Sequence, residues 1–352
     1  MSSQSNSLFT SNELIFGILL FFLSAFLIAE LRWSRLQNSY AIHTDSPVHL
    51  YLDSQTDFKT LSQTLADSGL INDQGELRWA ADLMGWKTFQ KGHYLVDRGF
   101  TYQEFLSKLG RGIQDPVSVT VLPGKSMGQI IDKLAEALQP DSLAFHHTFT
   151  DSVVLARHNL NEKELIGRLY PNTYSLFWTS SPEKVLQRIL REFNKAVVTQ
   201  HEQQIDSLNY SLNEILTLAS IVEWEAKSEE EKATISGLYW NRLERGMRLQ
   251  ADPTVNYALG ERRRLLYEDY QIEHPYNTYV IRGLPPGPIT NPSLNAIKAT
   301  IYPKEHDYLY MVASPDGTHD FSETFEEHKQ KSERWRRWLR KQYRIKEQQN
   351  SQ

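Results

Sequence analysis

The stretch that decides the fold runs from Ser211 to Tyr257 and reads SLNEILTLASIVEWEAKSEEEKATISGLYWNRLERGMRLQADPTVNY. Its pattern predicts two helices joined by a short polar link. Ser211 with Glu214, and Ser228 with Glu231, have the spacing of capping boxes, in which the paired side chains bind free backbone N–H groups at a helix start. Each pair therefore predicts the first residues of one helix.

Two glutamates stand beside the apolar face of the first helix. Glu223 is expected about 80° from the centre of that face, and Glu225 on the opposite flank. Carboxylates that point in different directions do not easily flank one glycosidic bond as acid and nucleophile. A desolvated Glu223 would have a raised pKa and would suit a general acid. On the helix alone, a salt-bridged structural glutamate is the preferred interpretation. The face consists of Ile215, Leu218, Ala219 and Val222.

The second helix is expected to end at Gly246, with Arg242 in its last turn, where a cation favours the helix dipole. Arg242 is also placed to pair with Glu225, which would leave Glu223 as the free carboxyl. Both Glu225 and Arg242 are therefore predicted to support the structure.

A third, short helix is predicted within the sequence MRLQADPTVNYALG. Asp252 has the character of an N-cap, Pro253 that of a first helical residue and Gly260 that of a stop. These features give Asp252 a structural role. They leave Gln250 and Asn256 unexplained.

Composition limits the possible functions. The chain has 352 residues, 40% of them hydrophobic, which is enough for a sizeable core and predicts two domains. A net charge of −5 gives no basic field for nucleic acid, and the absence of cysteine excludes disulfides and thiol nucleophiles. No metal-ligand spacing and no HExxH, GxSxG, P-loop or GxGxxG motif stands in the right context. We therefore expect neither a metal nor a cofactor.

An uncharged apolar run begins at Leu14. It predicts a transmembrane helix over 14–33, close to the roughly 20 residues that span a bilayer, after a cytoplasmic N-terminus at 1–13. A cleaved signal peptide is the alternative, but no basic residue precedes the run. Arg32 and Arg35 follow it, and the positive-inside rule by itself would then leave the large C-terminal part in the cytoplasm.

The remaining chain is predicted to be α+β. A linker at 34–46 leads to a small strand–helix domain at 47–138, a larger α+β domain at 139–330 and a charged helix or tail at 331–352. The small domain contains a weak repeat, because TYQEFLSKL is echoed by SMGQIIDKL 25 residues later.

Several motifs together resemble the endolytic murein transglycosylase (MltG or YceG-like) family. They are LASIVEWEA, WNRLERGMRLQADPTVNYALG, YNTYVIRGLPPGPITNP and YLYMVASPDGTHDFSETFEEH, with LYPNTYSLFW before them. They stand in family order, and the resemblance covers nearly the whole chain. It implies that the small domain is LysM-like and that the larger one is catalytic.

The resemblance also implies site residues. The family's catalytic glutamate in the Ala-Ser-Ile-Val-Glu motif would be Glu223. The chain departs from the family pattern at Trp224, expected to point away from the acid, at Ala226, and at Ala251, expected to loosen substrate contacts. The candidates for sugar contacts are Gln250, Asn256, Tyr276, Asn277 and Tyr279.

The implied function is that of a membrane-anchored lytic transglycosylase. It would cleave bonds between N-acetylmuramic acid and N-acetylglucosamine in peptidoglycan, leave 1,6-anhydro ends and terminate nascent glycan strands. Its partners would be glycan strands, the membrane and peptidoglycan synthases (penicillin-binding proteins). The substrate would place the C-terminal part outside the bacterial inner (cytoplasmic) membrane, in the periplasm or its equivalent. A muramidase that hydrolyses the same bond, and a non-catalytic peptidoglycan-binding membrane protein, are the alternatives.

Overall fold

The computed structural model describes residues 10–38, 42–226 and 228–350, with only the backbone at 345–350. Helices and strands are mixed along the chain, as the α+β prediction requires. By contacts, the chain divides into two compact units: one runs to Val117 and includes Phe177–Thr179, and the other comprises Ser118–Leu176 and the part from Ser180 onward.

Helix α1 (Ser11–Leu36) contains the predicted apolar segment. A capping box of Thr10 and Glu13 begins it, and Leu36 is its buried residue. Its other large apolar side chains, from Leu14 to Trp33, are exposed. Among the described residues it is the one helix that is long and apolar enough to cross a membrane, and this property is compatible with a single-pass anchor.

Where the structure describes it, the first unit contains short strands and three further helices. Strand β1 pairs with β4 antiparallel, with Val48 opposite Val96, and β2 pairs with β3 in the same sense. The elements between β1 and β4 enclose a core that includes Leu61, Leu65 and Phe89. The likeness of this unit to a LysM domain stays a prediction. In chain order the elements are β1 (Val48–Leu52), β2 (Thr56–Asp57), α2 (Phe58–Asp67), α3 (Gln74–Met84), β3 (Thr88–Phe89), β4 (Gly92–Val96) and α4 (Tyr102–Arg111).

The second unit begins earlier in the chain than the predicted domain. The segment 118–138, which the sequence places in the small domain, belongs to the second unit because β5 pairs with β6 and α5 packs on α6. The elements are β5 (Pro116–Val121), α5 (Met127–Ala137), α6 (Ser142–Thr150), α7 (Ser152–Ala156), α8 (Glu162–Leu165), β6 (Asn172–Phe177), α9 (Pro182–Phe193) and α10 (Thr199–Ser207), with a π-helical turn at Asn194–Val198.

The rest of the second unit is built around one central helix, α11. Every residue from Ile215 to Val222 is buried, not only the predicted apolar face, because α12, α13 and α14 all pack against this helix. The hairpin β7–β8 and the long helix α15 complete the unit. These elements are α11 (Leu212–Glu225), α12 (Lys232–Glu244), α13 (Asp252–Leu259), α14 (Leu294–Ile301), β7 (Tyr310–Ala313), β8 (His319–Ser322) and α15 (Phe325–Asn350).

One predicted capping box is confirmed and the other is wrong. Ser211 and Glu214 cap α11 reciprocally. Ser228 instead caps a short 3-10 helix at Glu229–Glu231, and the Glu231 carboxylate turns away to bind His319. Gly246 ends α12 as expected, with a φ of 63° that favours glycine.

Candidate active site

A cavity of about 440 Å³ opens beside the C-terminal end of α11. Its wall combines carboxylates, amides, arginines and aromatic rings, a mixture suited to a polar ligand with apolar faces such as a sugar. The lining residues are Trp224, Glu225, Tyr239, Arg242, Gln250, Asp252, Pro253, Asn256, Arg262, Tyr279, Met311, Val312, Ala313 and His319. The described residues contain no cluster of three or more histidines and acidic residues that would hold a metal ion.

Glu223 is not among the residues that line this cavity. Its Oε2 accepts hydrogen bonds from the backbone N–H of Ser293 (3.1 Å) and from the Ser293 hydroxyl (2.5 Å). The Lys232 ammonium, which is 4% exposed, lies 3.2 Å from the same oxygen. The prediction that Glu223 is the free carboxyl is therefore wrong, since Glu223 ties α11 to the starts of α12 and α14.

Glu225, two residues later, does line the cavity. No hydrogen bond or ion pair from the described part of the chain reaches its carboxyl group. Burial and then the nearby negative charge of Asp252 raise its pKa to about 7, against a smaller opposing effect of Arg242. A carboxyl group with this pKa is partly protonated near neutral pH, and it can donate a proton and take one back.

Arg242 does not form the predicted ion pair with Glu225. It is buried, and its guanidinium donates hydrogen bonds to the backbone carbonyls of Leu309 and Leu249. These bonds attach α12 to the segments on either side of the cavity. Arg242 keeps its predicted structural role by a different set of contacts, and its positive charge still acts on Glu225.

Asp252 is not the N-cap of its helix. Ala251 occupies that position without a side-chain cap, and Asp252 is the first helical residue. The Asp252 carboxylate faces the cavity, where it accepts hydrogen bonds from the hydroxyls of Tyr279 (2.6 Å) and Tyr270 (3.5 Å). Burial raises the pKa of Tyr279 well above its usual value, so that its hydroxyl remains a donor. Asp252 thus belongs to the site itself.

The sequence profile of the YceG-like family matches residues 50–334. This chain is a member of the YceG-like family. The resemblance seen in the sequence motifs is thereby confirmed. The YceG-like match includes all of the residues that line the cavity.

Individual relatives agree with the family match. The chain is 30% identical over 305 residues to a Bacillus subtilis protein named endolytic murein transglycosylase, covering 82% of this chain and 84% of the relative. It is 29% identical over 285 residues to a Streptococcus pneumoniae protein of the same name, covering 72% of this chain but only 52% of that longer relative. A crystal structure of a YceG-like protein from Listeria monocytogenes superposes with a TM-score of 0.58 at 27% identity, covering 82% of this chain and 99% of that one.

The five predicted sugar contacts divide into two groups. Gln250, Asn256 and Tyr279 line the cavity. Tyr276 is buried against the ring of Tyr257 and lies outside the lining. Asn277 is wholly buried, and its amide donates to the carbonyls of Tyr270 and Ile272. Its amide oxygen accepts the backbone N–H of Tyr279, so the whole amide of Asn277 is bound within the protein and does not face a sugar in this structure.

Gln250 has an unusual backbone conformation. It is one of two non-glycine residues with positive φ in the described chain, at 50°, and its N–H donates to the Thr278 carbonyl at 3.2 Å. A non-glycine residue in this region costs about 1–2 kcal/mol and persists only where surrounding contacts hold it. Ala251 follows with its N–H bound to the Thr278 hydroxyl, and it is buried in the core of the unit and does not line the cavity.

Sequence reasoning missed several lining residues. Trp224 was expected to point elsewhere, yet it lines the cavity, donates to the Gly124 carbonyl and carries the Arg262 guanidinium over its ring at 5.0 Å. Tyr239 contributes a buried hydroxyl that has no partner among the described residues. His319 comes from the β7–β8 hairpin. Only spatial proximity links His319 and Arg262 to α11, so helix periodicity could not have found them.

Proposed function

We propose that this chain is a peptidoglycan lytic transglycosylase, a lyase that cuts glycan strands internally, and that Glu225 is its catalytic acid. The family membership and the shared name of the relatives support the reaction class. The observation that carries the residue assignment is the free Glu225 carboxyl in the cavity, with its pKa raised to about 7. Glu223, the residue predicted from sequence, is held by Ser293 and Lys232.

The proposed reaction needs one acid that works twice. Protonated Glu225 donates its proton to the glycosidic oxygen as the bond from C1 of the muramyl residue breaks. The resulting carboxylate then removes the proton from the C6 hydroxyl of the same muramyl residue, whose oxygen bonds to C1. The products are a free 4-hydroxyl on one fragment and a 1,6-anhydro ring on the other. No water is consumed, and Glu225 ends protonated.

A tethered nucleophile explains why water need not be activated. A well-aligned intramolecular group has an effective concentration on the order of 10⁵ M or more, far above that of water. The groups around Glu225 then have defined tasks: Asp252 keeps the pKa of Glu225 high, and Tyr279 holds Asp252 in place. The amides of Gln250 and Asn256 provide hydrogen bonds for sugar substituents.

Asp252 also favours a second candidate function. A muramidase needs a second carboxylate to activate water or to attack C1, and Asp252 lies in the same cavity as Glu225. Against this role, the two oxygens of Asp252 accept hydrogen bonds from Tyr279 and Tyr270. The lytic reaction is therefore the better supported.

The products decide between the two reactions. Uncrosslinked glycan strands digested by the full-length protein are expected to shorten to intermediate lengths that end in anhydromuramyl residues, as measured by chromatography and mass spectrometry. Products heavier by one water, with reducing muramyl ends, would establish a hydrolase. Disaccharides that accumulate from the start would establish an exo-acting enzyme. Protein carrying Glu225→Gln serves as the control for contaminating activity.

The proposal also requires the second unit to lie outside the cytoplasm. We place α1 in the cytoplasmic membrane as an uncleaved single-pass anchor, because the substrate is extracytoplasmic and because long domains are translocated largely regardless of flanking charge. Of the two arginines that oppose this orientation, Arg35 is ion-paired with Glu76 and covers the ring of Trp79. Terminating nascent strands beside peptidoglycan synthases is the cellular role that this location permits.

Protease accessibility tests the orientation. Protease added to intact spheroplasts is expected to degrade the C-terminal region. The degradation is monitored with an antibody against an epitope fused after residue 352. A cytoplasmic protein of known location is the control for membrane integrity. Full protection until lysis would place the catalytic unit in the cytoplasm and would contradict both the orientation and the substrate.

A further inference from the structure

His319 and Glu231 form a pair that the proposed reaction does not use. One carboxylate holds the histidine at two points: Glu231 Oε1 accepts the backbone N–H of His319 at 2.6 Å, and Oε2 lies 3.3 Å from His319 Nδ1. Both side chains are about nine-tenths buried, at 10% and 11% exposure. An imidazole ring fixed through its backbone and its side chain has little freedom to turn.

This contact determines which ring nitrogen carries the proton in neutral His319. An ionised carboxylate only accepts hydrogen bonds, so Nδ1 must be the donor and Nε2 is left with a lone pair. Nε2 has no hydrogen-bond partner among the described residues. His319 lines the same cavity as Glu225, whereas Glu231 does not. Nε2, the free acceptor, therefore lies on the side of the ring that faces away from Glu231.

The β7–β8 hairpin sets the position of this histidine. His319 begins β8 and lies opposite Ala313, the last residue of β7. Ala313 and its strand neighbours Met311 and Val312 line the cavity beside it, and they supply mainly apolar surface. His319 is thus the polar group of a wall that is otherwise poor in side-chain hydrogen-bonding atoms.

We propose that His319 is a substrate-binding residue whose Nε2 accepts a hydrogen bond from a hydroxyl group of an amino sugar, and that Glu231 is its positioning residue. The proposal rests on the proposed function, because the ligand class is taken from it. The guanidiniums of Arg242 and Arg262, which also line the cavity, only donate hydrogen bonds and cannot accept one from a sugar hydroxyl. An uncharged acceptor such as Nε2 is suited to a sugar hydroxyl, because the hydroxyl can donate a hydrogen bond to Nε2 and still accept one from another group.

Two single substitutions separate the ring nitrogens. In His319→Asn, the amide reaches the position of Nδ1 and keeps the contact with Glu231, but nothing replaces Nε2. In Glu231→Gln, the amide N–H₂ of the new side chain faces His319 Nδ1, so Nδ1 must accept a hydrogen bond. The ring proton then moves to Nε2, and Nε2 becomes a donor. Glu231→Gln preserves side-chain size, and circular dichroism with the unfolding temperature verifies that each variant is folded.

The experiment measures kcat and KM on defined glycan strands together with the ¹⁵N NMR spectrum of labelled histidine. We expect each variant to lower kcat/KM about 10- to 100-fold, the usual cost of leaving one buried hydrogen bond unmade. The spectrum should show a proton on Nδ1 in the wild type and on Nε2 in Glu231→Gln. A wild-type kcat/KM in His319→Asn, or in Glu231→Gln with its proton moved, would overturn the proposal.

Glycan binding distinguishes this proposal from the function on which it rests. Binding of uncrosslinked strands is measured in Glu225→Gln protein with and without His319→Asn, so that no cleavage is required. Weaker binding in the double variant supports the binding role of His319, even if the wild-type protein does not cleave glycan. The absence of cleavage would contradict only the proposed reaction. Equal binding overturns the role of His319 and leaves the reaction untouched. If His319→Asn does not fold, the same comparison is made with Glu231→Gln, which leaves the ring in place but turns Nε2 into a donor. Weaker binding then supports the proposal, and equal binding overturns it.

Discussion

Glu225→Gln is expected to lower the rate of glycan cleavage by about 10³-fold, the usual contribution of a general acid and base. The amide has nearly the size of the carboxyl group but has no proton to give to the leaving oxygen and cannot take one from the C6 hydroxyl. Because Glu225 has no partner among the described residues, its replacement breaks no ion pair. The measurement is single-turnover cleavage of a defined strand, with circular dichroism to verify the fold.

Glu223→Gln is the matched control on the same helix. It removes the charge that Lys232 and Ser293 bind, so the expected effect is on stability, and the folded fraction should keep measurable turnover. If folded Glu223→Gln protein is inactive while Glu225→Gln protein cleaves normally, the acid is Glu223, as the sequence motif implied. The two variants thus test the geometry of α11 directly.

The location of the candidate site could be predicted from the sequence, but the choice between its two glutamates could not. The capping box and apolar pattern predicted α11, and the motifs marked its C-terminal end as the site. Which carboxyl is free depends on Lys232 and on Ser293, which is 70 residues further along the chain. Helix periodicity gives the direction of a side chain but not its partners.

The wrong capping box has the same kind of cause. Ser228 and Glu231 have the right spacing, and in an isolated segment Glu231 would return to the N-cap. The β7–β8 hairpin instead presents the backbone N–H and the ring of His319 to this carboxylate. A long-range contact has replaced a local one, and Glu231, predicted to begin a helix, instead holds His319, which lines the cavity. Asn277 is the opposite case, because a polar residue in a motif-rich loop makes its hydrogen bonds to the backbone of that loop and not to a distant element.

The second large effect concerns stability, and it has opposite signs for the two glutamates. Folding raises the pKa of Glu225 from its usual 4.5 to about 7, so between these values the folded state binds more protons than the unfolded chain. Its contribution to the free energy of unfolding is complete below pH 4.5 and is lost as the pH rises through 7. The loss amounts to up to about 3 kcal/mol, at roughly 1.4 kcal/mol for each unit of pKa.

Glu225→Gln should therefore unfold like the wild type at pH 4.5 and be the more stable protein at pH 8, by up to about 3 kcal/mol. Glu223→Gln should be less stable than the wild type at pH 8 by about 3 kcal/mol, since among the described residues it leaves the buried Lys232 ammonium with only the exposed Glu229 as a charged partner. Urea unfolding of the detergent-solubilised chain, followed by tryptophan fluorescence at both pH values, measures the two differences. A Glu225→Gln curve that coincides with the wild type at pH 8 would mean that Glu225 is already ionised at neutral pH. It could then not act as the acid, because a site that keeps a carboxyl group protonated for catalysis must destabilise the fold wherever that group is forced to ionise.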